Sequence, residues 1–208
     1  MELFNIVLNF LYPNVCGVCK KVCKNPICNN CMNKLNKDNI NGRKVYIQTN
    51  YRFIDEHIYL FRYKGIIREL MVKYKFKEES YLYKSFSYMI LKNEKIMNYI
   101  NRYDYILPIP IHKKRKKQRG FNQSELIVKD ICKNEQRIKY EKDILIKIKN
   151  VKPQSSLNKT ERKINILDAY EIDKSKIDRI KDSNILLFDD IFTTGSTANE
   201  CAKVLKKY

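Results

Sequence analysis

Residues 185–207 read ILLFDDIFTTGSTANECAKVLKK, an apolar run that ends in two adjacent acids, passes through a Thr-Thr-Gly-Ser-Thr turn and opens a helix-like stretch. A short apolar run bounded by a turn is the pattern of a buried strand. Asp189 and Asp190 then emerge at its carboxyl end, where two neighbouring carboxylates can accept hydrogen bonds from vicinal hydroxyls, as on a ribose, or hold a metal through water. In the turn formed by Thr193, Thr194, Gly195, Ser196 and Thr197, the glycine lets successive backbone N–H groups point inward. The helix expected from near Thr197 adds its dipole and further N–H donors, which favours a phosphate. Two other readings explain less. An acidic strand end also occurs in ATPases, but no G-x-x-x-x-G-K-[ST] is present. Ordinary helix capping accounts for the hydroxyls but not for the paired acids. G-x-G-x-x-G is absent too, against a dinucleotide-binding enzyme.

The preceding residues repeat strand, polar loop and helix. YDYILPIPI reads as a strand, HKKRKKQRG as a basic loop, and FNQSELIVKDICK as a helix beginning near Asn122; DILIKIK and NILLF read as further strands. Strands alternating with helices imply parallel βαβ units, whose ligands sit beyond the carboxyl ends of the strands. Upstream, YIQTNYRFIDEHIYLFRYKG suggests one or two strands ended by Gly65, IIRELMVKYKFK a helix, and YLYKSFSYMILKNEKIMNYI a second helix from near Ser80. His57 reads as structural. The polar segment 149–171 has the composition of a mobile active-site loop.

Five of the seven cysteines fall within CGVCKKVCKNPICNNC. Cys16, Cys19, Cys28 and Cys31 give C-x2-C-x8-C-x2-C, two pairs of thiolates of the kind that tetrahedral zinc requires. Cys23 is surplus to the four and can replace one of them. Four thiolates leave no open position for a water or substrate, so such a zinc is structural. Cys132 and Cys201 lie in helix-like stretches and read as buried small apolar residues.

With 42 Lys+Arg against 23 Asp+Glu, the formal charge is +19. That surplus favours polyanions, although the abundance of Lys, Asn, Ile and Tyr is also what an AT-rich coding sequence produces. The opening MELFNIVLNFLY is short, carries Glu2 and has no basic n-region, and no apolar run approaches the roughly 18 to 20 residues of a membrane span. The chain therefore reads as a cytoplasmic protein without membrane insertion.

The segment ILLFDDIFTTGST resembles the phosphoribosyl-pyrophosphate (PRPP) motif of type I phosphoribosyltransferases. In that family the two acids hold the ribose 2' and 3' hydroxyls, the turn holds the 5'-phosphate, and magnesium with a second loop holds the pyrophosphate. The resemblance makes Asp189 and Asp190 the ribose acids and Thr193, Thr194, Gly195, Ser196 and Thr197 the phosphate turn. The cysteine knot, YLFRYKGIIRELMVKYKF, LPIPIHKKRKKQRGFNQSELI, PQSSLNKTERKINILDAY and the terminal motif occur in the order found in the ComF family, phosphoribosyltransferase-like proteins associated with competence and DNA uptake.

This resemblance covers nearly the whole chain. It implies an α/β fold, with a zinc-ribbon-like four-cysteine segment at 1–42 and, over 43–208, a type I phosphoribosyltransferase-like parallel sheet flanked by helices. A family member is expected to continue past the last helix into another strand, whereas this sequence stops at KVLKKY; either the sequence is truncated or the sheet lacks its final strand. The basic loop is expected to face the pyrophosphate, with Arg119 stabilising the departing charge; contact of that loop with DNA phosphates is a further reading. The loop around Gln154, Arg162 and Asn165 resembles one that closes over substrate, and Arg162 is its catalytic candidate. The expected function is binding of PRPP or a related phosphoribosyl ligand, with structural zinc and ligand-bound magnesium, in competence and DNA uptake. Single-stranded DNA and a DNA-uptake helicase are the partners implied. Two alternatives stand beside it: an active phosphoribosyltransferase using a nitrogen nucleophile, and a zinc-bearing nucleic-acid adaptor without catalysis.

Overall fold

A computed structural model describes residues 14–38, 52–77, 79–151 and 164–208. The first described segment folds around its cysteines. Val15 bridges Val22 across the Gly17–Cys19 turn, with the Lys20 N–H donating to Cys16 O and the Cys16 N–H to Lys21 O, both at 2.9 Å. Helix α1 (Asn29–Asp38) follows and turns Cys31 and Leu35, one helical turn apart, into the core.

Helix α2 (Gly65–Phe76) buries Ile67, Leu70, Met71 and Tyr74, the i, i+3, i+4, i+7 stripe of an amphipathic helix. Gly65, at φ 51°, opens this helix instead of ending a strand, and residues 52–64 form no strand; the start of the expected strand pair lies outside the described residues. The second expected helix is divided. A 3-10 turn (Ser80–Leu82) leads into α3 (Tyr83–Leu91), and Asn93 then caps α4 (Glu94–Ile100) by accepting the Ile96 N–H at 3.1 Å.

Strand β1 (Tyr105–Pro108) is followed by α5 (Lys113–Arg119) and α6 (Gln123–Asn134). The basic stretch expected as a loop is thus a helix. His112 Nδ1 accepts the Lys114 N–H at its start, and Gly120 ends it in the left-handed region at φ 81°. Asn122 ties α6 to the sheet, since Oδ1 accepts the Ser124 N–H at 3.1 Å while Nδ2 donates to the Ile109 carbonyl at 3.0 Å. Strands β2 (Leu145–Lys147) and β3 (Tyr170–Ile172), the short helix α7 (Ile177–Ile180), β4 (Ile185–Phe188) and α8 (Ser196–Leu205) complete the order.

β1 and β4 pair in parallel with Tyr105 opposite Ile185 and Pro108 opposite Phe188, and the Ile109 N–H extends the ladder to Phe188 O at 2.9 Å. On its other side β1 meets Lys139 through a parallel bridge. Strands β2 and β3, however, pair antiparallel, so the expected all-parallel arrangement holds for β1 and β4 only. Alternation along β1 sends successive side chains to opposite faces. Ile106 joins a core shared with α1, α2, α3, α4 and α6, while Leu107 joins a second core with β2, β3, α7 and α8. The chain is a mixed α/β structure in which strands separate two apolar layers.

The cysteine segment packs into the first of these cores. Ser85 Oγ on α3 donates to Pro26 O at 3.0 Å, and a Cβ at position 17 would collide with that hydroxyl and meet Leu82 Cδ2 at 3.0 Å. Gly17→Ala must therefore displace Ser85 and break its bond. The variant is expected to lose about 1–3 kcal/mol of stability, measured as a fall in the denaturant midpoint, and an unchanged midpoint would show that the contact gives way freely.

Candidate functional site

The parallel pairing brings the segments that leave β1 and β4 to the same end of the sheet. Asp189 and Asp190 leave β4, and the Asp190 N–H donates to Asp189 Oδ1 at 2.9 Å. Lys75, from the last turn of α2, pairs with Asp190 Oδ2 at 2.9 Å, and the acid side chain retains only 8% of its exposure. Removal of the Asp189 carboxyl from water and the adjacent Asp190 charge push its pKa up to about 8, with Lys75 pulling the other way.

Beyond the acids, Gly195 adopts φ 69° and occupies the position before α8, where it offers no side-chain acceptor to the first N–H groups of the helix. Thr194 Oγ1 and Ser196 Oγ lie 3.1 Å apart, Thr193 is exposed, Thr197 is half-buried, and Gly195 and Ser196 are buried. Helix α8 starts at Ser196, one residue before the position expected from sequence. The structure thus brings Thr193, Thr194, Gly195, Ser196 and Thr197 into one turn next to the acid pair.

Three cations approach the same end of the strands. On α5, Arg115 and Arg119 are one turn apart and half-buried, whereas Lys113, Lys114 and Lys117 are exposed. Arg119 donates from Nη1 to Gln123 Oε1 at 2.9 Å and lies 5.7 Å over the Phe76 ring. Burial and the Arg115 charge lower its pKa, while Asp190 acts in the opposite sense. Lys147, at the end of β2, sits 5.1 Å over the Tyr170 ring, and burial brings its pKa down to about 8, with Arg115 adding to the fall and Asp189 opposing it. Among the described residues none of these three cations has a carboxylate within ion-pair distance. Such a cluster can neutralise an anion that reaches the acid pair.

Sequence reasoning passed over Lys75, Lys147 and Gln123. The last lies within RGFNQ, is 2% exposed and has a buried Nε2 without a hydrogen-bond partner. Arg162 and Gln154 lie outside the described residues; Asn165 lies in a short helical stretch near the end of that loop. His57 stacks on Phe192 at 3.8 Å, and burial lowers its pKa. A cavity of about 1170 Å³ runs along β4 and α8 beneath residues 53–63 and includes Asp189 and Asp190 in its lining. That cavity is mainly apolar and takes in neither the 193–197 turn nor Arg115, Arg119 and Lys147, so it is not where these charges converge.

The second candidate site is the cysteine cluster. The Sγ atoms of Cys16, Cys19, Cys28 and Cys31 all lie within 4.8 Å of one another, and those of Cys19 and Cys28 are 3.8 Å apart. Tetrahedral zinc with Zn–S bonds of about 2.3 Å requires sulfurs about 3.8 Å apart, so the four fit that metal. Cys23 stands outside the cluster, its thiol donating to Asn25 O at 3.0 Å. Burial opposes ionisation of Cys16, yet N–H groups of Cys19, Cys28 and Val18 donate to its sulfur and bring its pKa down to about 6. Of the lone cysteines, Cys201 is fully buried as expected, and Cys132 is half-buried.

Competence protein F of Haemophilus influenzae is 25% identical to this chain over 156 residues, covering 74% of this chain and 67% of that protein. Competence protein ComFC of Bacillus subtilis is 28% identical over 146 residues, 70% of this chain and 56% of its own. That of Streptococcus pneumoniae is 30% identical over 151 residues, 73% and 62%. The chain is thus similar, over 70–74% of its length, to competence proteins F and ComFC, which supports the ComF resemblance. Its match spans between 56% and 67% of the length of these relatives. No family model and no solved structure matches the chain. Among the described residues, no helix is long and apolar enough to cross a membrane.

If the cysteine cluster holds zinc, elemental analysis of protein purified without added metal should find close to one zinc per chain. Cys16→Ser and Cys28→Ser should lose the metal and much of the soluble yield, because structural zinc supplies on the order of 10 kcal/mol of folding free energy to such modules. Well-folded, metal-free wild type would exclude the assignment.

Proposed function

We propose that the chain binds PRPP or a related phosphoribosyl ligand through Asp189, Asp190 and the 193–197 turn, and serves competence and DNA uptake. The observation that carries the reading is the juxtaposition of an acid pair with a glycine-opened helix start. One part suits vicinal hydroxyls and the other a phosphate, and both stand at the carboxyl ends of paired parallel strands. In this reading 43–208 is a phosphoribosyltransferase-like domain, and 1–42 is a zinc-bearing segment. The names of the relatives, competence protein F and ComFC, support the biological role.

Arg119, Arg115 and Lys147 are then the groups that meet a pyrophosphate, and Arg162, by the family resemblance, is a further catalytic candidate. Magnesium would enter with the ligand and offset the charge of its diphosphate. Were the site catalytic, the chain's part would be to hold the ribose, exclude water and stabilise the departing pyrophosphate charge while a nitrogen nucleophile attacks the anomeric carbon. Each ionised acid accepting a charge-assisted hydrogen bond contributes about 1.5–3 kcal/mol, so at a pH above the Asp189 pKa of about 8 Asp189→Ala/Asp190→Ala should weaken PRPP binding roughly a hundredfold or more. Calorimetry with magnesium checks this, and equal affinity in wild type and variant rules the assignment out.

The outer face of α5 favours contact with single-stranded DNA as a second property. Lys113, Lys114 and Lys117 are exposed on that face while Arg115 and Arg119 turn inward, so one helix separates two sets of cations. Each phosphate neutralised on a single strand contributes about −0.7 to the slope of log affinity against log salt. Changing Lys113, Lys114 and Lys117 to Gln should remove most of that slope, and changing Lys84, Lys92 and Lys95 little of it. Equal losses in binding titrations would assign the basic character to composition alone.

A further inference from the structure

The last turn of α2 is the element most closely engaged with the acid pair that the motif did not contain. Three consecutive residues reach three parts of the site. The Tyr74 hydroxyl donates to Gln123 O at 2.8 Å, Lys75 pairs with Asp190 at 2.9 Å, and the Phe76 ring lies beneath Arg119. Tyr74 is fully buried, its ring centroid 5.4 Å from that of Phe86 and 5.8 Å from that of Phe121. The base of the Lys75 side chain is therefore fixed by the core. At 20% and 8% side-chain exposure, the two charges of the pair are largely shielded from water, where their attraction is stronger than at a surface.

We propose that Lys75 is a positioning residue of this site, whose ammonium fixes Asp190 through Oδ2 and leaves Oδ1, with the neighbouring Asp189 carboxyl, to receive the two hydroxyls of a ribose. The proposal rests on the phosphoribosyl reading above. Two adjacent carboxylates withdrawn from water repel each other, and a cation on one offsets part of that repulsion. Asp190 is faced by Lys75 from α2 and Arg119 from α5, with Tyr74 beside it. Asp189 is faced by Lys147 from β2, Tyr170 from β3 and Cys201 from α8. Among the described residues, Lys75 alone makes an ion pair with either acid. Asp189 keeps its proton up to about 8 even with Lys75 in place. Lys75 pulls the Asp189 pKa down, so losing the ammonium must move release of the Asp189 proton to higher pH and leave the Asp190 carboxylate without the partner that fixes it.

The test uses the full zinc-loaded chain with Lys75→Met and Lys75→Arg. Calorimetry with PRPP and magnesium, from about pH 6 to about pH 9, is read beside a carboxyl-carbon NMR titration of the ligand-free protein. Lys75→Met should bind PRPP at least about tenfold more weakly near neutral pH, and its acid pair should release the proton more than about one pH unit later. Lys75→Arg should restore both, which a merely structural lysine does not require. Unchanged titration and affinity in Lys75→Met overturns the role, as does a loss that arginine fails to restore. If PRPP binds no form of the protein, the phosphoribosyl reading falls, and the titration alone still decides whether Lys75 governs the acid pair.

Discussion

The parallel ladder between β1 and β4 is the constraint on which the rest of the architecture depends. Because the strands run in the same direction in register, the chain leaving Pro108 and the chain leaving Phe188 must emerge at the same end of the sheet. The first exit leads to the basic helix α5 and the second to the acid pair and the glycine turn. At the opposite end the Asp104 carboxylate accepts the Asn184 N–H at 2.8 Å, which pins the register from below. An antiparallel pairing of the same residues would place the cations and the acids at opposite ends.

The charges gathered at that end are unequal in their partners. Asp190 is matched by Lys75, while Arg115, Arg119 and Lys147 stand without carboxylates among the described residues and repel one another. An anion is the natural complement of such a group, and hydroxyls are the natural complement of the acids beside it. The α8 segment joins the two, since its start supplies the turn while Glu200, further along the same helix, accepts the Asp168 N–H at 3.0 Å and pairs with Lys203. The helix start is thereby anchored to β3 and its approach.

The strand, acid pair and turn of residues 185–197 are legible in the sequence because their signals are local: an apolar run, two charges at its end and a glycine. The cysteine quartet is legible for the same reason, and only packing around Asn25 decides that Cys23 stays apart. The basic stretch reads as a loop because helix recognition depends on apolar periodicity, which KKRKKQR lacks; its helix is set by the His112 cap and the Gly120 terminus. Strand β3 is three residues long, and its antiparallel partner is 23 residues upstream, so no short-range pattern announces it. Lys75 is hidden in an amphipathic helix whose stripe explains its neighbours but not itself. Its role comes from a residue 115 positions away in sequence.

The cysteine segment shares a core with α2 and α3, so the element that carries Lys75 is braced by the same packing that a zinc would stabilise. That the acids and the turn form one ligand site is tested most directly by hydrogen exchange with PRPP and magnesium. Slowed exchange is expected at the amides of 190–197 and of α5, with the distant amides of α4 unchanged; equal exchange with and without PRPP at the 190–197 amides would contradict the assignment.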